Sequence, residues 1–436
     1  PLALLVLFLA LTIQLFGSDA IAGGSQLSLL SASAVCTALS ICLYRCKWQV
    51  LEDAIVTNMR SATPALIILL LIGAIAGTWM ASGIIPTLIY YGMKLLHPSI
   101  FLPASCIISA GISLLTGSSW TTIATIGISL MSLSSVLASS PAVVLLFTQI
   151  KYMLFTTIPS LLVALVTFCI AGFFSSHTSE AGTLAIEQAL QDTYHISPWL
   201  LLVPLITGLL IARRLPAIVT LFTSALMAAI TMAVAQPEIL KQIVGTDVLT
   251  GMLSLKAIIV AVTTHTSVDT GNELLNNLVA TRGMGGMLPT IWLIICAMCF
   301  GGVMYGSGML GAISQVFIRM ARRTVSVVGS TVCSGIFFNL ATGDQHISII
   351  LTGKLFHHLY DERGLQRRLL GRSVEDSATV TSVLIPWNSC GMTQSTVLGV
   401  ATVTYLPYCI FNLVSPLMSV LVAAFGYRIV KTDKEG

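Results

Sequence analysis

Charged side chains are scarce in this sequence. Asp, Glu, Lys and Arg make up 9% of its 436 residues, against roughly a quarter in a soluble domain. Apolar residues fill 56% of the chain, and mean hydropathy is +0.93. Those values exclude a soluble enzyme. The net charge of +4 matches basic cytoplasmic loops and gives no reason to invoke nucleic acid. One crossing needs about 20 apolar residues. Composition therefore predicts an all-α polytopic membrane protein of about ten transmembrane helices, forming a single integral membrane domain over residues 1–436.

Paired metal or redox motifs are also missing. The cysteines stand singly in apolar runs (Cys36, Cys106, Cys169, Cys333, Cys409). Cys296-x-x-Cys299 lies in an apolar helix without the context such motifs require, so these residues are read as small buried side chains. There is no His-Glu-x-x-His. Ala341-Thr-Gly-Asp344 misses the Gly-x-Gly-Asp of intramembrane aspartyl proteases, and Ser82-Gly83 lacks the preceding glycine of a rhomboid-like site. No enzymatic activity and no cofactor are expected. A Met start is absent, so the true N-terminus is expected upstream of Pro1. Residues 2–16 show no basic n-region or cleavage site and read as the first helix or its remnant.

Apolar runs cover residues 2–16 and 27–43, followed by Arg45, Lys47 and Arg60 on the cytoplasmic side. A long helix is expected over 64–92, broken at Pro86. Further helices are expected at 152–174, 198–212, 216–235, 247–264 and 287–318, the last closed by Arg319, Arg322 and Arg323. Residues 175–196 and 236–246 read as loops. So does the basic stretch 354–374, with Arg363 to Arg372 solvated and Glu375 facing it.

Polar groups inside apolar runs are the informative exceptions. Asn339-Leu-Ala-Thr-Gly-Asp344-Gln-His346 interrupts the segment 325–353. An Asp near the bilayer centre costs roughly 2.5–3.5 kcal/mol, so something must offset it. An echo occurs at Ser113-Leu-Leu-Thr-Gly-Ser118-Ser-Trp, at an offset of roughly 226. In the same register Gly77-Thr-Trp-Met-Ala-Ser-Gly83 lies against Gly302-Val-Met-Tyr-Gly-Ser-Gly308. Basic residues precede the glycine-rich helix in the first half and follow it in the second, so the copies run in opposite senses. Inverted repeats with broken or re-entrant helices are the sign of a secondary transporter. The first repeat is placed at 52–172 and is shortened; the second is placed at 285–427.

Several stretches resemble the NhaC-type sodium/proton antiporters: the segment from Ile72 to Gly92, Thr116-Gly-Ser-Ser-Trp-Thr-Thr122, Met153-Leu-Phe-Thr-Thr-Ile-Pro159, Gly343-Asp-Gln-His346, Glu375-Asp-Ser-Ala-Thr-Val-Thr381, Pro386-Trp-Asn-Ser-Cys-Gly391 and Tyr405-Leu-Pro-Tyr408. The resemblance covers almost the whole chain. It implies a bacterial inner-membrane antiporter exchanging Na⁺ for H⁺; some relatives exchange dicarboxylate and lactate coupled to these ions. The family's Gly-Asp-Lys-x-Ser-Pro-x-Ser-Asp-Thr-Thr element is absent, because Ser129-Leu-Met-Ser-Leu-Ser runs straight into Ser135. An inactive deletion variant is therefore weighed beside the transporter.

A Na⁺ site needs several oxygen ligands and one carboxylate. Asp344 and Asp376 are the candidate Na⁺ carboxylates; the competing readings are a helix cap beside Gly343 for Asp344 and a cap at the end of the basic loop, paired to Arg372, for Asp376. Asn339, Thr379, Thr381 and Asn388 are candidate neutral donors or interhelical glue. Ser118, Ser119, Thr121 and Thr122 are candidates for the opposite wall. His346 is weighed as a neighbour tuning Asp344. His265 and Asp269 would share a helix face and are read as a membrane-edge pair or a proton relay. The expected partners are the bilayer, Na⁺, H⁺ and, in the organic-acid alternative, a small carboxylate; a homodimer is compatible with the sequence.

Overall fold

A computed structural model describes residues 2–16, 23–95, 141–174, 180–213, 215–271, 273, 276, 279–321, 323–398 and 400–426. Ser118, Ser119, Thr121, Thr122 and the Ser129–Ser135 junction lie outside these residues.

The described residues form helices and no strand; the single β-bridge pairs Thr266 with Thr281. In chain order the helices are α1 Leu2–Phe16, α2 Gly24–Cys42, α3 Trp48–Ala81, α4 Ile84–Leu95, α5 Pro141–Phe174 and α6 Glu180–Thr193. Next come α7 Leu202–Ala212, α8 Ala217–Ala235, α9 Pro237–Val244, α10 Gly251–Thr263, α11 Leu288–Gly306 and α12 Met309–Met320. Last are α13 Thr324–Thr342, α14 Gln345–Glu362, α15 Arg367–Val374, α16 Ser389–Leu398, α17 Thr402–Tyr405 and α18 Ile410–Ala424.

Among the described residues, five helices are long and apolar enough to cross a bilayer, or seven if each of two bent pairs counts as one crossing. Composition alone suggests about ten. Shorter apolar helices, such as Gly251–Thr263, accompany the long ones among the described residues.

The chain forms two compact units. Unit 1 comprises residues 1–63, 132–164 and 289–436; unit 2 comprises 64–131 and 165–288. Residues 52–172, expected as the first repeat, contribute to both units, whereas the second repeat falls in unit 1 from Pro289 onward.

Unit 2 packs Leu190, Tyr194, Met232, Ile239, Leu240, Ala257 and Ala261 into one core. α3 and α10 approach until a Cβ on Gly77 would lie 1.9 Å from the Ala261 carbonyl oxygen. Gln236 ties the α8–α9 corner to both the N–H and the C=O of His195, at 3.1 and 3.0 Å. The break expected at Pro86 occurs earlier, at Gly83, whose φ of +77° ends the run. Pro86 falls in the first turn of α4, where its missing N–H has no helical acceptor to lose. Two expected loops contain helix: α6 lies within 175–196, and α9 lies within 236–246 with Pro237 at its start and left-handed Gly245 at its end. Short amphipathic helices escape a reading based on long apolar runs.

Unit 1 packs Val327, Val328, Phe356, Tyr360, Leu369 and Ala378 into a core, with Phe155 and Val420 against it. Met298 accepts a hydrogen bond from Asn58 at 2.7 Å, joining α11 to α3. The helix expected over 287–318 is divided at Ser307-Gly308, Gly308 having φ +73°. The expected basic loop 354–374 is mostly helix, formed by the end of α14 and by α15. Arg372, expected in solvent, is fully buried.

Candidate functional site: a buried carboxylate among hydroxyls

The polar stretch at 339–346 is a helix break written in local chemistry. α13 ends on Gly343, at φ +65°, whose N–H donates to the Asn339 carbonyl at 3.3 Å. Glycine suits this left-handed position. Asp344 then caps α14, its Oδ1 accepting from the Ile347 N–H at 3.0 Å. Its Oδ2 accepts from the Ser389 hydroxyl at 3.2 Å, at the first residue of α16. Asp344 is 2% exposed, and the positive ends of two helices converge on it. His346 stands half-buried in the next turn; neither hydrogen bond to the Asp344 carboxyl comes from it.

Three expected donors form one network beside this cap. Asn339 donates to the Ala378 carbonyl at 2.6 Å and to Thr381 Oγ1 at 3.1 Å. Thr381 passes its own proton to the Ser377 carbonyl at 2.7 Å. Asn388 donates to the Asn339 carbonyl and to its Oδ1, at 3.3 and 3.4 Å, and accepts from the Cys390 N–H at 3.1 Å. These amides hold α13, the 375–381 turn and the start of α16 together. A buried amide left unpaired would cost about 1–3 kcal/mol, so the network fixes the helices.

Asp376 stands elsewhere in the same unit. It lies on a π-helical turn, Glu375–Thr379, that continues α15. Such turns recur at functional sites. Its carboxyl is buried, with 4% of the residue exposed. Oδ1 accepts from Thr156 of α5 at 3.1 Å and from Ser415 of α18 at 3.2 Å. Ser419, one turn beyond Ser415, acts on the same carboxyl, as does the charge of Arg372. Neither Asp376 Oδ2 nor Ser419 Oγ has a hydrogen-bond partner. Thr379 is half-buried with an unpartnered hydroxyl, and Glu375 is half-buried on the turn, not in an open loop.

Thr156, Ser415 and Ser419 are not among the site residues expected from sequence. Thr156 lies in a stretch that carries the family resemblance, and Ser415 and Ser419 are four apart before and after Pro416 on an otherwise apolar helix. A serine pair at helical spacing in α18 was the available signal. His265 and Asp269 do not share a helix, because α10 ends at Thr263. Both are exposed, and Asp269 accepts from the Gly271 N–H at 3.0 Å and from Asn276 at 3.1 Å. The Gly271 bond holds its carboxyl below the usual range.

The described residues thus place a buried carboxyl, with two hydroxyl donors and the Arg372 charge in reach, inside a helical membrane protein. Comparison with known proteins supplies the family. Residues 125–427 match the family described as the Na⁺/H⁺ antiporter family. The chain is 32% identical over 408 residues to the Na⁺/H⁺ antiporter NhaC of Bacillus subtilis (strain 168), covering 86% of this chain and 87% of that protein. It is 31% identical over 409 residues to the malate-2H⁺/Na⁺-lactate antiporter of the same organism, covering 86% of this chain and 84% of that one. It is 28% identical over 472 residues to the arginine/ornithine antiporter ArcD of Halobacterium salinarum, covering 100% and 93%. No solved structure matches. The chain belongs to the Na⁺/H⁺ antiporter family. The ArcD alignment runs over 472 positions against 436 residues here, so at least 36 of its positions have no residue in this chain.

Proposed function

We propose that the protein is a secondary antiporter exchanging Na⁺ for H⁺ across the bacterial inner membrane by alternating access. The observation that carries this reading is Asp376, a carboxyl that is 4% exposed and hydrogen-bonded only by hydroxyls. Burial raises the cost of leaving such a group charged, and the charge of the buried Arg372 offsets only part of it. A proton or a hard monovalent cation each compensates it, and one carboxyl takes one of them at a time. Loading either ion therefore expels the other, which is the minimal chemistry of exchange. An electrogenic cycle would draw about 2.3 kcal/mol per charge per 100 mV from the membrane potential.

Two inverted repeats, 52–172 and 285–427, would supply alternating access. Gly83 and Gly308, in register between the repeats, support this: each takes a positive φ, +77° and +73°, and each is followed at once by a new helix. Ser118, Ser119 and Thr122 remain proposed for the facing wall, whereas Asp344, both of whose oxygens already accept hydrogen bonds, is proposed as the cap of α14 and not as an ion ligand.

The experiment is Na⁺-dependent dequenching of a pH-sensitive dye in vesicles holding the purified protein. The expected result is a response in the parent and none in Asp376→Asn. Two further readings have specific support. Likeness to a malate/lactate antiporter favours adding malate and lactate to the same assay. The positions missing relative to ArcD favour an inactive deletion variant. A parent silent toward Na⁺, Li⁺, malate and lactate establishes that variant and removes the antiporter reading.

A further inference from the structure

Thr156 carries one hydroxyl proton and faces two acceptors, the Met153 carbonyl at 3.0 Å and Asp376 Oδ1 at 3.1 Å. When the proton goes to Met153, the lone pairs of Oγ1 face Oδ1. Two oxygens that close need a positive charge between them. A proton on the carboxyl provides it, and so does a cation. The hydroxyl serves both loaded states of an exchanger without moving.

The opposite side of the carboxyl is arranged alike. Ser415 and Ser419 are both fully buried on α18, one turn apart. Ser415 reaches Oδ1, while Ser419 lies within reach of the same carboxyl, its Oγ and Asp376 Oδ2 each short of a hydrogen bond of full geometry. Pro416 interrupts α18 between them and offers no N–H to the Asn412 carbonyl. One carboxylate and three neutral oxygens suit a hard monovalent ion. Asp344 has the reverse character. Both of its oxygens already accept hydrogen bonds, and the two helix N-termini at it favour anions over cations.

We propose that Asp376 and the hydroxyl oxygens of Thr156, Ser415 and Ser419 form the seat of the transported monovalent cation, and that Asp344 takes no part in binding it. This rests on the antiporter reading above. As Na⁺ enters, the proton on the Asp376 carboxyl leaves to water, and no covalent bond other than that O–H changes.

The test pairs equilibrium binding of radioactive Na⁺ to the purified protein with exchange in vesicles. Thr156→Val, Ser415→Ala and Ser419→Ala are each expected to raise the Na⁺ concentration for half-saturation by about tenfold or more. Asp376→Asn abolishes binding. Thr156→Ser and Asp344→Asn stay within about twofold of the parent. Ser419→Ala removes an oxygen that holds no hydrogen bond, so it keeps the test decisive if Thr156→Val does not fold. A parent that binds and exchanges Na⁺, with half-saturation unmoved in the three hydroxyl variants, overturns the seat and leaves the antiporter standing. A parent that binds Na⁺ with the expected pattern but moves no protons keeps the seat and overturns the antiporter. Loss of binding in Asp344→Asn overturns the division between the two aspartates. A parent that binds no Na⁺ overturns both.

Discussion

The Thr156 hydroxyl donates to Asp376 Oδ1 across 3.1 Å, joining residues 220 apart in sequence. That bond ties α5 to the π-turn within unit 1. Hydrogen bonds of this kind contribute about 0.5–1.5 kcal/mol, or about 1.5–3 when one partner is charged. A double-mutant cycle of Thr156→Val and Asp376→Asn is expected to give a coupling energy in that range. Thermal unfolding in detergent measures it. Additive single effects would mean that the two side chains do not interact.

Competition predicts the pH dependence of transport. If Na⁺ and H⁺ contend for one carboxyl, the apparent KM for Na⁺ rises about tenfold per pH unit below the carboxyl's titration and levels off above it. The maximal rate is unchanged by the competition itself. Initial-rate measurements over pH 5–9 separate these terms. A falling maximal rate at constant KM would falsify the single-carboxyl scheme.

At Asp344 the prediction is structural. Replacing the cap by alanine is expected to lower stability by about 0.5–2 kcal/mol, whereas Asn, an equally good cap, costs little. Melting temperatures of Asp344→Ala and Asp344→Asn check the order. Equal losses would place the importance of Asp344 in its charge.

Close backbone approaches set a second order. A Cβ on Gly335 would meet Ser377 Oγ at 2.5 Å and the Ala378 nitrogen at 3.1 Å, so α13 presses directly on the π-turn. Overpacking of this kind costs about 1–3 kcal/mol. On Gly77 the Cβ would meet a backbone carbonyl at 1.9 Å, which cannot rotate aside. Gly77→Ala is therefore expected to fold less well than Gly335→Ala, read as the monodisperse fraction after purification.

Asp361 provides a test outside the apolar spans. Arg367 donates to both of its oxygens, at 3.2 and 2.9 Å, and holds its carboxyl below the usual range. A depressed carboxyl contributes stability above its unfolded pKa, about 3.9, and loses it as pH falls through the lower folded value. The effect is small because the pair is exposed. The melting-temperature gap between the parent and Asp361→Asn should close as pH drops through that window. A gap that widens there would contradict the pairing.

Much of the fold was legible because apolar runs and glycine punctuation are local signals. Gly343 followed by Asp344 spells a helix end and a helix start, and the structure uses both. Short amphipathic helices such as Pro237–Val244 were missed because they lack an apolar run. Arg372 was misplaced in solvent, since nothing local tells a basic loop from a helix that buries one of its arginines. The hydroxyls around Asp376 were not legible at all as a group. Thr156 and Ser415 meet that carboxyl only through tertiary packing of α5 and α18 against the π-turn, and no spacing rule connects segments so far apart.

The π-turn at Glu375–Thr379 holds one more residue per turn than the helix that leads into it. Rewinding that turn to α geometry with all its residues kept would rotate everything downstream by about 100°. Thr381 would swing away from Asn339 while Arg372, upstream, kept its place. The wide turn absorbs one surplus amino acid, and the phase of that helix depends on its staying wide.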